Sequence, residues 1–199
     1  MITKIKTLAL AATLALSALL APVGQIAVST APAVATVAAP AVAVIASTWS
    51  IEAEAGPLTD YLENKVIDHL FRGTAYTAPT TLYVSLHTAA CSDSSTGTEV
   101  TGGSYARVAV TSNGTNWANT QASGTGVSSG TSGTTSNSAA ITFPAPTANW
   151  GSVTHFGIFD ASSAGNMLLC QALTVSKTIN NGDAAPSFAG GALTVQIDN

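Results

Sequence analysis

The stretch Trp150–Leu169, WGSVTHFGIFDASSAGNMLL, decides how the chain is read. Val153, Phe156, Ile158 and Phe159 on one side, and Met167, Leu168 and Leu169 on the other, flank a polar, Gly-containing connection. That is the pattern of two buried strands joined as a hairpin. The stretch is a packing element, and it carries no chemistry of its own.

Working outward, the same pattern recurs in short pieces. Ala139–Phe143 reads as a strand that reaches the hairpin through the irregular link Pro144–Ala148. Beyond Cys170 the chain continues as Ala172–Thr178, turns at Asn180-Asn181-Gly182-Asp183, and alternates again over Leu193–Ile197. Upstream, Thr81–Thr88 places Leu82, Val84 and Leu86 on one face and Tyr83, Ser85 and His87 on the other, as a half-buried strand does. Tyr105–Val110 adds one more. Short strands separated by turn residues predict a mainly β chain, an antiparallel β-sandwich or jelly-roll-like body.

One α-helix precedes that body. In Leu58–Arg72, Leu58, Leu62, Val66 and Leu70 recur every four residues, and Ile67 and Phe71 widen the stripe. Thr59 or Asp60 can cap its start, Pro57 resists backward extension, and Gly73 suits a left-handed cap at its end. His69 flanks the stripe. Thr111–Ser138 consists almost wholly of Ser, Thr, Gly, Asn and Ala, too little apolar surface to offset ordering, and reads as a long exposed loop. Trp117 and Val127 are its large apolar residues, so Trp117 either anchors the loop to the body or contributes with Val127 to a contact surface.

Residues 1–55 differ in kind. Two lysines precede an apolar run from Thr7 to Ala21, the form of a secretory n-region and h-region, and a charge-free Ala/Val/Pro tract follows. Pro22, Pro32 and Pro40 interrupt any long helix, which favours an extended hydrophobic arm over a membrane span. Ala53-Glu54-Ala55 has the small-x-small form of a cleavage site but lies far beyond the apolar run. Export signal with linker and assembly arm both stay open. The expected division is an arm over 1–55 and a β domain over 56–199.

Charged residues make up only 8% of the chain, with six Lys and Arg against ten Asp and Glu. No basic cluster could neutralise a run of phosphates, so nucleic acid is not an expected partner. Sparse charge leaves little to keep copies apart and points to self-association. Arg107, if buried, requires a carboxylate, and Glu99 and Asp160 are the candidates for a structural ion pair. Cys170 sits in an apolar strand pattern where a buried free thiol is common; a Cys91–Cys170 disulfide is the alternative in an oxidising compartment.

No constellation for catalysis, cofactor binding or metal binding emerges. Gly126-Val127-Ser128-Ser129-Gly130 matches G-x-S-x-G, but both flanks are Ser/Gly/Thr tract where that motif needs strand and helix. A hydrolase using Ser128 is the weakest reading. His87 with Cys91, or His155 with Asp160, lacks the spacing of a metal site.

The ordered blocks LTDYLENKVIDHLFRGTAYTAPTTLYVSLHTA, GTEVTGGSYARVAV, ITFPAPTANWGSVTHFGIFDASSAGNMLLCQALTVSKTINNGD and ALTV resemble small bacteriophage virion proteins of the tail fibre or minor tail type. The resemblance runs from about Leu58 to the end, interrupted at the Ser/Gly/Thr loop. It implies a non-enzymatic structural subunit of a tail, or one decorating a capsid. Its partners would be other copies of itself, neighbouring virion proteins and a host surface glycan. The signal-like start supports a rival from another class, an exported surface or secreted carbohydrate-binding module.

Overall fold

The computed structural model describes residues 48–49, 58–119, 126–129 and 133–197. All belong to the compact unit Ala43–Asn199. The arm, apart from Thr48–Trp49, and the Ala53-Glu54-Ala55 segment lie outside the described residues.

Among the described residues the chain is mainly β, with one helix ahead of most of its strands. In order it forms β1 (Thr48–Trp49), α1 (Asp60–Phe71), β2 (Thr81–Ala89), β3 (Thr98–Glu99), β4 (Val108–Thr111) and β5 (Thr134–Ser136). Then come β6 (Ile141–Thr142), β7 (Gly151–Phe159), β8 (Met167–Ile179), β9 (Ser187–Phe188) and β10 (Thr194–Gln196). The predicted hairpin is β7–β8, antiparallel from Gly151↔Ile179 to Phe159↔Met167, and β8 absorbs the strand expected over Ala172–Thr178. Its turn closes through Asp160, whose carboxylate accepts the backbone N–H of Asn166 at 2.7 Å and its amide at 2.8 Å.

β7 pairs on its other edge with β2, which in turn pairs with β3 at one end and β4 at the other. Val84, Leu86, Val153, Phe156 and Ile158 project from one face of this sheet. They pack against Ile141, Phe143, Phe188, Leu193 and Val195, from the smaller sheets β1-β9-β6 and β10-β5 and their flanks. Two apolar faces thereby bury one another as a sandwich. Edge-on aromatic contacts, Phe143–Phe188 at 6.1 Å and Phe156–Phe188 at 5.8 Å, knit that layer.

Four expectations need correction. β2 is not half-buried: Ser85 and His87 are as inaccessible as Val84 and Leu86. The opposite face is closed by Arg107, stacked on Phe159, and by Cys91, and Phe159, Met167 and Cys170 form a second small core there. Cys170 is not a free thiol; it is joined to Cys91. The Ser/Thr-rich stretch 111–138 is not all exposed loop, since β5 pairs with β10 and Trp117 bridges Asn137. Ordering there is supplied by Asn137, buried, whose amide donates to the carbonyls of Ala139 and Ala189 and accepts the N–H of Leu193, each at 2.8 Å. The helix is the fourth case. Its limits fall at Asp60 and Phe71, with Gly73 at φ +69° ending it and none of its residues buried, but the Thr59 hydroxyl does not cap it, being committed to the carbonyls of Met167 and Leu168.

Candidate functional site

Titratable groups gather along the edge of β2 that carries β3 and β4. Arg107 grips Glu99 with both arms of its guanidinium: Nε donates to Oε1 at 2.8 Å and Nη2 to Oε2 at 2.7 Å. Nη1 donates to the carbonyls of Ala161 and Ala164, both at 2.8 Å, and the guanidinium carbon lies 3.5 Å from the centre of the Phe159 ring. One side chain thus pins β3 to the β7–β8 turn. Asp160 is the other candidate carboxylate, and it is taken up by Asn166. The Tyr105 hydroxyl donates to Glu99 at 2.9 Å and accepts the N–H of Leu86 at 2.9 Å. Burial alone would raise the Glu99 carboxyl; the bonds from Arg107 and Tyr105 and the guanidinium charge overcome this and hold it below its usual range.

Behind this edge, His87 Nε2 lies 2.8 Å from Ser85 Oγ. Ser85 donates to the carbonyl of Gly157 at 3.1 Å, so the neutral imidazole donates from Nε2 to the hydroxyl. Burial pushes His87 down to about 4, opposed by the Glu99 carboxylate and assisted by Arg107 and His155. A hydroxyl beside an imidazole has the form of a nucleophile and base. Here both are sealed from solvent and the hydroxyl is committed to a backbone carbonyl, so the pair works as a strut. The alternation of β2 placed the two on one face in the sequence; nothing in it signalled that this face is covered.

Trp117 borders an open cup of about 340 Å³. Leu82, Ile158 and Val195 supply apolar lining, and Ser112, Asn113 and Thr135 supply hydroxyl and amide groups. Among the described residues no ionisable side chain lines it. The Trp117 Nε1–H is buried with no hydrogen-bond partner among the described residues. Trp117 is half-buried, packed against the core, whereas Val127 is 90% exposed, so the two play different parts. Ser128 also lines this cup, within a described segment, residues 126–129, that forms neither strand nor helix.

The third surface is α1. Its first turn hangs on β8 and the 92–95 turn: Thr59 N–H donates to Leu168 O at 3.1 Å, Asp60 N–H to Asp93 O at 3.0 Å, and the Thr59 hydroxyl to the carbonyls of Met167 and Leu168. Beyond that turn the stripe faces outward. Val66, Ile67, Leu70 and Phe71 are 37, 49, 66 and 81% exposed.

Among the described residues no group of His, Cys, Asp and Glu side chains is placed to hold a metal ion, and the disulfide removes Cys91 as a thiolate ligand. No helix among them is long and apolar enough to cross a membrane. Comparison with curated proteins gives no match. A family model described as podophage GP4 fiber I protein gp80 matches residues 57–196, which takes in α1 and the strands from β2 to β10. The chain therefore belongs to this family of phage fibre proteins.

Proposed function

We propose that the chain is a non-enzymatic subunit of the virion that works by self-association, with the β body as scaffold and α1 as the surface that meets a second copy. The observation that carries this is the stripe on α1, apolar at four-residue spacing and unburied in the single chain. A helix of 12 residues is marginal in water without packing on its apolar face. A contact of this size falls below the roughly 1,000 Å² of a stable interface and gains strength from repetition along a fibre.

The test combines two measurements on the full chain. Mass spectrometry of purified particles should find its peptides, and sedimentation velocity should show mass rising with concentration. Absence from particles, or a monomer at every concentration, refutes the reading.

A second role follows from the cup at Trp117. A neutral, amphipathic cup with an indole, amides and hydroxyls suits the C–H faces and hydroxyls of an uncharged saccharide, which fits a contact to host surface glycan. Binding of neutral oligosaccharides that is lost in Trp117→Ala, with the fold retained, is the expected result.

A further inference from the structure

Cys91 and Cys170 are 79 residues apart in sequence, with their Cα atoms 5.9 Å apart, inside the range a disulfide spans. The two cysteines stand on the two walls that hold the start of α1. Cys91 leads into the turn whose Asp93 carbonyl accepts the Asp60 N–H. Cys170 follows Leu168 on β8, whose carbonyl accepts the Thr59 N–H, and Leu58 bridges the intervening Leu169. Since α1 buries none of its own residues, these few bonds are its mounting, and the disulfide cross-links their two supports.

We propose that Cys91–Cys170 is an oxidative latch, open while the particle is built and closed after release, which fixes the direction in which α1 projects. This rests on the reading of the chain as a virion subunit. The host cytosol keeps thiols reduced, whereas disulfides persist on virions outside the cell. On release, the two thiols lose two protons and two electrons to dissolved dioxygen, the S–S bond forms, and dioxygen is reduced to hydrogen peroxide. Cys91, half-buried, is the end that solvent reaches; Cys170, 7% exposed beside Phe159 and Met167, is shielded once the bond has closed.

Particles trapped with N-ethylmaleimide inside intact cells and particles from aerated lysate would be compared by peptide mapping. Both cysteines should carry maleimide in the first sample and be joined in the second. Other peptides of the chain report separately whether it is in the particle, and its absence would remove the premise. A bond already formed inside the cell, or maleimide on both cysteines after release, overturns the latch. The mounting is read by trypsin at Arg72 in released particles. A reductant should speed cleavage there by roughly tenfold, and Cys91→Ser with Cys170→Ser should be cut at the fast rate with or without it. Equal rates in oxidised and reduced wild-type particles overturn the link to α1.

Discussion

His87 and Ser85, two residues apart on one strand, share a hydrogen bond of 2.8 Å in a space from which solvent is excluded, and that places a neutral imidazole where a charged one would have no water. Its pKa, about 4 in the folded chain against 6.5 unfolded, makes the unfolded state the stronger proton binder between those values. Stability from this group is complete above pH 6.5 and is lost as pH falls towards 4, on the order of 3 kcal/mol. His155, lowered by burial, and Glu99, held below its usual range, act in the same direction on acidification. Thermal unfolding from pH 7.5 to 4 should show a falling Tm, and His87→Gln should flatten most of the limb between 6.5 and 4. An unchanged slope in the variant would show that His87 is not the group titrating.

Gly157 stands opposite Ser85 in the β2–β7 register, and its lack of a side chain makes room for that pair. A Cβ there would lie 2.8 Å from Ser85 Oγ, 3.0 Å from His87 Nε2 and 3.2 Å from Phe159 Cε2. Gly157→Ala should destabilise by about 1–3 kcal/mol, read from chemical denaturation midpoints. Ser85→Ala in the same chain should recover part of the loss by removing the nearest atom. A neutral Gly157→Ala would mean the strands separate freely at this point.

Arg107 is the more costly residue to remove, because its side chain is 7% exposed and its four donor contacts tie β3 to the β7–β8 turn. Arg107→Ala leaves Glu99 partly buried without its cation and uncovers Phe159, a loss of about 3–5 kcal/mol. Arg107→Lys restores charge but neither the fork nor the planar stacking, and should recover less than half. Full recovery by lysine, measured as unfolding free energy, would reduce the contact to charge alone.

Asn137 should behave as a core residue although it sits in a Ser/Thr tract. Its amide meets three backbone groups of segments near β6, β9 and β10. Asn137→Ala strands these polar groups and should cost roughly 2–3 kcal/mol, while Val127→Ser on the exposed part of the same tract should change stability by less than about 0.5 kcal/mol. Equal denaturation midpoints for the two variants would contradict the difference in burial.

The hairpin was legible because β7 and β8 bury near-continuous apolar runs, Phe156–Phe159 and Met167–Leu168 with Cys170, on both sides of a turn rich in small polar residues. The stop of α1 was legible through Gly73, whereas Thr59 stands at its start with a hydroxyl that serves β8 and not the helix. Asn137 was not, since a buried amide that satisfies distant backbone groups has the same local sequence as a solvated one. Ser85 and His87 were hidden because alternation tells which residues share a face but not what covers it; the cover comes from Arg107 and Cys91, elsewhere in the chain. Composition suggested self-association, and the stripe on α1 was visible as a pattern. Its exposure depends on what the rest of the fold places beside it, which spacing cannot report.

That exposure gives the last prediction. Residues buried in the monomer lose stability when made polar, whereas those at 66 and 81% exposure, Leu70 and Phe71, have little monomer packing to lose. Leu70→Glu with Phe71→Lys should leave the unfolding midpoint of a dilute sample within about 0.5 kcal/mol of wild type. The same pair should abolish the concentration-dependent rise in sedimentation coefficient, because two apolar faces can no longer exclude water from one another. A concentration-dependent rise that survives in Leu70→Glu/Phe71→Lys would reject α1 as the surface between copies.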